Sequence, residues 1–250
     1  MTRMHLLVER NLMVYRHTWS LLVAEVFEPV LYLLTIGIGI GTLVGHVRGT
    51  GVAYPQYVAP ALLATAAMNG AMNETTFNLF QKLKFDRVYD SILTTPMTVR
   101  DVAFGEVCWA LLRGTLTTSG FLVIVTVLGL VHTPWALLAL PGAAVIGFAF
   151  ASAGLAVTTY LRDWQDFQLI QLVMLPMFLF ATTFYPLGVY PRPVQLAVEC
   201  LPLYQSIELL REPSLGHIGP GLLVAAVYLL VMGVLGLAIA LPRLRRTLLA

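Results

Sequence analysis

Lysine is almost missing from this chain of 250 residues, in which Lys82 and Lys84 are the only two. Neither follows a glycine-rich turn, so there is no G-x-x-x-x-G-K-[ST] loop and the chain cannot hydrolyse ATP by the P-loop route. Gly37-x-Gly39-x-Gly41 lies inside an apolar run with no Lys-Ser/Thr after it, and does not read as a phosphate cradle. Charge of both signs is scarce, at 11% of residues against about 25% in a soluble domain. A net charge of +2, scattered along the chain, gives no footprint for nucleic acid. Cys108 and Cys200 form no CxxC pattern and read as unpaired, packed thiols. His5, His17, His46, His132 and His217 are widely separated and no HExxH occurs, so no metal site is expected. A G-x-S-x-G elbow is absent too.

What is present is apolar length. Hydrophobic residues make up 58% of the chain and the mean hydropathy is +0.80, which reads as a single integral membrane domain over 1–250. A span needs about 20 apolar residues to cross about 30 Å of hydrocarbon, and six fit: 20–44, 54–79, 102–131, 135–160, 167–184 and 219–241. Residues 1–18 precede them as an interfacial helix, with Met4, Val8, Leu12, Tyr15 and Trp19 on one stripe and Arg3, Arg10 and His17 on the other side. The basic start before an apolar run suggests a signal peptide, but Glu25 and Glu28 interrupt the run and no A-x-A site follows, so it is expected to stay uncleaved. Gly37, Gly41 and Gly45 in the first span, and Gly147, Ala151 and Gly154 in the fourth, make faces that another helix can approach closely.

The stretch Gln81–Glu106 organises the rest, because Lys82, Lys84, Asp86, Arg87, Asp90, Arg100 and Asp101 crowd between two apolar runs. Phe85, Val88, Tyr89, Ile92 and Leu93 follow the spacing of a helix with one apolar face. Pro96 ends it. Thr98 and Asp101 form a capping box, so the third span begins near Val99.

Intramembrane polar groups are costly and point to function. Glu28, beside Pro29, reads either as a pathway-facing carboxylate at a kink or as a snorkelling acid. Asn69, Asn73, Glu74 and Asn78 mark the inner half of the second span, and Glu106 and Arg113 lie seven apart on one face of the third. Arg113 pairs with Glu106, pairs with Glu74, or snorkels alone.

The run FDRVYDSILTTPMTVRDVAFGE, with Asn73-Glu74 upstream, resembles the loop between the second and third spans of ABC-2 type permeases, the membrane subunits of ATP-binding-cassette exporters. The likeness is greatest to nodulation lipo-oligosaccharide and daunorubicin-resistance-type exporters. The resemblance implies that 82–98 is a cytoplasmic coupling loop docking on a separate ATPase through Phe85, Asp86, Tyr89, Ile92 and Leu93. It implies a dimer, with itself or a paralogue, carrying two ATPase copies that bind the ATP and magnesium, with no cofactor in this chain.

The outer segment 185–216 is too apolar for a plain loop and too broken by Pro186, Pro191, Pro193 and Pro202 to be a span. It reads as a re-entrant hairpin of two helices, Val194–Leu201 and Leu203–Arg211. It resembles the family's outer gate through Tyr185, Pro186, Pro202, Leu203, Tyr204, Gln205 and Arg211, although Tyr204-Gln205 stand where many relatives carry Thr-His.

The expected fold is therefore all-α, with six spans, an interfacial helix, a coupling helix and an outer re-entrant hairpin. Arg3, Arg10, Arg16, Lys82, Lys84, Arg87, Arg100, Arg162, Arg243, Arg245 and Arg246 fall on the side of the termini, against Arg48, Arg192 and Arg211 on the other, which puts both termini in the cytoplasm, at a plasma (inner) membrane. The resemblance implies export of an amphipathic or lipid-linked cargo, a drug, lipid or lipo-oligosaccharide. Two other classes compete: a membrane-embedded hydrolase or transferase using Glu25, Glu28 or Glu74, and a secondary transporter, for which no internal repeat is evident.

Overall fold

The computed structural model describes residues 4–16, 19–47, 51–131 and 133–249, with the side chains of 19–22 and 249 left aside. Among the described residues the only β pairing is an isolated bridge between His46 and Ala53, and the architecture is helical throughout.

Helix α1 (Met4–Tyr15) lies against the first turns of α7 and turns Leu7 and Asn11 inward. Of the expected apolar stripe, Met4 and Leu12 are exposed, with Leu6, Met13 and Val14 beside them, while Tyr15 packs on Trp109 of α7, ring centroids 5.1 Å apart. Arg3, His17 and the Trp19 side chain lie outside the described residues, as do Arg48 and His132. Helix α2 (Trp19–Tyr32) continues through a π-helical stretch, Leu33–Ile40, into α3 (Gly41–Val44). Gly41 meets the ring of Pro55 at the start of α4 (Tyr54–Asn73), so the small-residue face does allow a close crossing. Gly45 has another role and ends α3 with φ +70°.

After α4 the same helix widens into a π-helical turn, Glu74–Asn78, then narrows into α5 (Leu79–Lys84). Thr75 and Thr76 bond back to the carbonyls of Ala71 and Met72, and the Thr75 carbonyl accepts the hydroxyl of Thr158 across the interface at 2.6 Å. A π turn leaves carbonyls without their usual partners, and a neighbouring hydroxyl satisfies one here.

The segment 82–98 is split. Arg87 adopts the left-handed conformation, φ 46°, so the helix expected from Phe85 begins only at Val88, as α6 (Val88–Leu93). Helix α7 (Val99–Val127) starts where the capping box required: the Thr98 hydroxyl accepts from the Asp101 amide at 3.3 Å, and Asp101 accepts from the Thr98 amide at 3.0 Å.

Helix α8 (Ala139–Thr158) is the centre of the fold, packed on α4, α7 and α12 (Pro220–Leu249). Its small-residue surface makes this possible. A methyl group at Gly236 of α12 would stand 2.7 Å from the Ser152 backbone, so the two helices touch main chain to main chain.

Helix α9 (Phe167–Phe180) is peripheral and exposes Leu169, Leu172, Val173, Leu175 and Leu179. It stops at Phe180, short of the expected Phe184, because Thr182 takes φ 61°. The segment 185–216 then folds as α10 (Arg192–Glu199), as long as the expected helix but starting two residues earlier, and α11 (Pro202–Ser214), which is longer than expected. Gln205 donates to the Glu199 carbonyl at 2.7 Å and ties them together.

Among the described residues, four helical runs are long and apolar enough to cross a membrane: Val23–Val44, Val99–Val127, Pro134–Thr158 and Pro220–Leu248. The other two expected spans fall short for different reasons. The second carries Asn69, Asn73, Glu74 and Asn78 along its length. Helix α9, at 14 residues, is about 21 Å long, below a hydrocarbon core of about 30 Å.

Candidate functional site

Three carboxylates and two cations from four different segments meet inside the helix bundle. Arg113 lies two turns along α7 from Glu106 and does not pair with it. Its Nη1 donates to Glu74, and its Nη2 and Nε donate to the two oxygens of Glu25 on α2. The guanidinium carbon lies 4.6 Å from the centre of the Tyr15 ring. Thr117, one turn further along α7, donates to Glu25 at 3.3 Å.

Glu106 takes Lys82 instead, at 2.9 Å, and Lys82 also reaches Glu74 at 3.4 Å. Tyr89 of α6 donates its hydroxyl to Glu106 Oε1 at 2.8 Å, and Asn11 of α1 donates to Oε2 at 3.4 Å. Asn78 donates to Glu74 at 2.7 Å, four residues along across the π turn. Glu74 and Glu106 are fully enclosed and Arg113 nearly so, at 6% exposure. Buried charges are tolerated only with partners and saturated hydrogen bonding, and both Glu74 oxygens are engaged by cations.

Burial, and after it the charge and hydrogen bond of Glu106, push the Tyr89 hydroxyl well above its ordinary range. It therefore stays a neutral donor. Expected as a docking anchor, Tyr89 is 1% exposed in this chain, and Ile92 and Leu93 are half-buried against the same core. The apolar stripe of α6 faces its own chain. Phe85, Asp86, Arg87 and Asp90 face outward, and the Phe85 ring stacks on Trp164 of the short 3₁₀ turn before α9, centroids 5.5 Å apart.

Glu25 joins the network to a cleft of about 330 Å³ between α2, α4 and α9. Its polar lining is Glu25, Glu28, Thr65, Asn69, Asn73, Thr117 and Gln171, and its apolar lining includes Pro29, Tyr32, Leu62, Met174 and Phe178. Glu28 and Asn73 thus line the cleft and stay outside the ion network. Glu25 entered the sequence reading only as a carboxylate of the rival hydrolase, and Asn78 only as one of the polar groups of the second span. Lys82, Asn11 and Tyr15 were not among the expected site residues and look like ordinary surface or interfacial residues until the fold brings them inward.

At the opposite end, Arg211 of α11 is buried and donates to the Thr182 carbonyl at 2.7 Å, to the Thr182 hydroxyl at 3.3 Å and to Glu208 at 3.0 Å. Its guanidinium carbon lies 3.9 Å from the Tyr57 ring centre. Leu203 is fully buried, Tyr204 is half-buried, and Pro202 opens α11. Tyr185, after which Pro186 opens a short 3₁₀ turn, accepts the hydroxyl of Tyr190 at 2.8 Å. No group of three or more His, Cys, Asp and Glu side chains placed to hold a metal occurs among the described residues.

The profile of the family described as ABC-2 type transporter matches residues 2–215. The chain is similar to Nodulation protein J of Rhizobium leguminosarum bv. viciae, 34% identical over 228 residues, covering 88% of this chain and 86% of that protein. It is 35% identical to Nodulation protein J of Rhizobium leguminosarum bv. trifolii over 199 residues, 78% of this chain and 74% of the relative. Against Nodulation protein J of Rhizobium meliloti (strain 1021) it is 34% identical over 199 residues, 77% and 74% of the two.

Proposed function

The chain belongs to the ABC-2 type transporter family, a multi-pass membrane transport subunit, and from that premise we propose that it is the permease of an ATP-driven exporter of amphipathic or lipid-linked molecules. The reading has six spans with both termini cytoplasmic, two copies of the permease or one with a paralogue, and two copies of a separate ATPase that supplies the hydrolysis.

The observation that carries it is the continuity between α6 and the cleft. Tyr89, Glu106, Lys82, Glu74, Arg113 and Glu25 follow one another by hydrogen bond or ion pair, and the last of them lines the cleft. A docked ATPase moving α6 would pull on Glu106, and the pull would reach the cleft wall through charge pairs that cannot part without leaving a buried charge uncompensated. The cleft has the two-sided chemistry of an amphipathic guest, with carboxylates, amides and hydroxyls on one side and Tyr32, Leu62 and Phe178 on the other. The ATPase would meet the outward face of the α5–α6 corner, Phe85, Asp86, Arg87 and Asp90. Of the three carboxylates named for the rival hydrolase reading, Glu25 and Glu74 are held by Arg113 and Lys82, which leaves only Glu28 for it.

Copurification tests this. The chain expressed with an ATP-binding-cassette ATPase of its own organism should bring that ATPase down and stimulate its hydrolysis when an amphipathic cargo is added. Failure of both would remove the exporter reading.

A further inference from the structure

The first turns of α7 and the last turns of α12 diverge and leave a groove of about 930 Å³. Arg100, Arg245 and Arg246 line it together with Phe104, Leu241 and Pro242. The arginines are exposed and make no ion pair or side-chain hydrogen bond among the described residues. Arg243, on the same helix, is occupied: it donates to Thr159 at 3.2 Å and its guanidinium carbon lies 3.5 Å from the Tyr160 ring centre. Asp101, next to Arg100, is held in the capping box by Thr98.

The order of residues along the two helices is informative. Arg100 precedes Phe104 by four residues at the start of α7, and Leu241 precedes Arg245 by four at the end of α12. A spacing of four puts each pair on one helix face, about 6 Å apart along the axis. On both helices the arginine is nearer the helix end and the apolar residue nearer the bilayer. The groove is thus basic at its rim and apolar one turn deeper.

We propose that this groove binds an anionic phospholipid, its phosphate and headgroup held by Arg100, Arg245 and Arg246 and its acyl chain lying on Phe104 and Leu241. Guanidinium groups bind phosphate oxygens in a fork, and basic grooves between spans at a membrane surface attract lipids of net negative charge. Three unpaired arginines favour a headgroup of net negative charge over a zwitterionic one. The site is separate from the cleft and from the α6 network, so it stands or falls independently of the exported cargo.

The test uses the full-length protein in detergent, titrated with phosphatidylglycerol or phosphatidylcholine and read by native mass spectrometry. One phosphatidylglycerol should be held at least tenfold more tightly than phosphatidylcholine. Arg245→Gln and Arg246→Gln should each weaken it roughly fivefold, on the order of one charge contact at a membrane surface, and the triple variant with Arg100→Gln should abolish the preference. A control variant carrying Arg16→Gln, Arg87→Gln and Arg162→Gln loses the same charge elsewhere and should keep it. Phe104→Ala should weaken phosphatidylglycerol, and millimolar inorganic phosphate should not displace the lipid. Equal loss in the control would reduce the effect to bulk charge and overturn the site. Displacement by phosphate, or indifference to Phe104→Ala, would make it a phosphate site and overturn the lipid. Should the triple variant fail to fold, the two single substitutions in the exposed last turns decide.

Discussion

Tyr89 points its hydroxyl into the protein, onto Oε1 of Glu106 at 2.8 Å. A helix that was expected to offer its aromatic residue to a partner instead uses it to reach the buried charges of its own chain. The short helix α6 is therefore attached to the bundle by a polar contact as well as by the packing of Ile92 and Leu93. Movement of α6 and the state of Glu106 become linked quantities.

The first prediction separates packing from that hydrogen bond. Tyr89→Phe keeps the ring and leaves Glu106 one donor short, a cost of about 1–3 kcal/mol for a buried group left unsatisfied. Tyr89→Ala adds a cavity and should cost about 3–5 kcal/mol. Both are read as midpoints of thermal unfolding in detergent, and the phenylalanine variant should still bring down the ATPase. There is a pH signature as well. The folded state holds the Tyr89 hydroxyl above the ordinary value of 10, so its contribution is complete below pH 10 and is lost as pH rises past it. The wild type should lose stability on the alkaline side more steeply than Tyr89→Phe. Identical alkaline slopes would mean that the hydroxyl is not buried.

Much of this was legible in the sequence and part of it was not. The capping box at Thr98 and Asp101 and the presence of two helices in 185–216 follow from local spacing, whereas the cost of an intramembrane charge calls for a partner to Arg113 without choosing Glu74 over Glu106. The break at Arg87 does not, because only tertiary packing holds a non-glycine residue in a left-handed conformation. The partners of Glu106 were hidden for another reason. Periodicity tells which face of α6 is apolar, but not whether that face meets a partner or the parent chain. Lys82 and Asn11 become site residues only when α1 and α5 are laid against α7.

The second prediction concerns Arg113, which satisfies two carboxylates at once. Removing one member of a buried ion pair costs about 3–5 kcal/mol. Arg113→Ala should lose that much. Arg113→Lys should lose less, keeping the charge but not the fork that spans Glu25 and Glu74. A swapped pair, Arg113→Glu with Glu74→Arg, should recover part of the loss in a double-mutant cycle. Strictly additive losses would show that the two side chains do not interact in the membrane.

A third prediction addresses the outer end. Thr182 is held at φ 61° by the arginine that binds its carbonyl, and a β-branched residue there is strained by about 1–3 kcal/mol. Thr182→Gly should relieve the strain but lose the hydroxyl contact at 3.3 Å and the packing of a side chain that is 1% exposed, so that the two effects offset and the midpoint changes little. Arg211→Lys cannot both stack on Tyr57 and bind the carbonyl, and should lower the unfolding midpoint by several degrees. If Arg211→Lys is neutral, the latch carries no weight.

The native thiols report on topology. Cys200, exposed in the outer segment, and Cys108, half-buried in α7, should differ in their reaction with a membrane-impermeant maleimide added outside intact cells. Cys200 should label first. Labelling of Cys200 only after the cytoplasmic side is opened would place the hairpin on the wrong side of the membrane and reverse the proposed orientation.

The last prediction moves the ATPase contact from the inner to the outer face of the coupling segment. Interface energy concentrates in aromatic anchors, while rim charges mostly tune encounter. Of the apolar residues in this segment Phe85 is the one turned outward, 58% exposed, with its ring braced on Trp164. Phe85→Ala should therefore weaken copurification of the ATPase by at least tenfold, at little cost to the unfolding midpoint of the permease alone. Trp164→Ala should do so less strongly, because it removes the brace and leaves the anchor. Ile92→Ala should show the opposite pattern, lowering the midpoint through lost packing while the partner still binds. If Ile92→Ala abolished association at an unchanged midpoint and Phe85→Ala did not, the buried face of α6 would have to open outward when the ATPase docks.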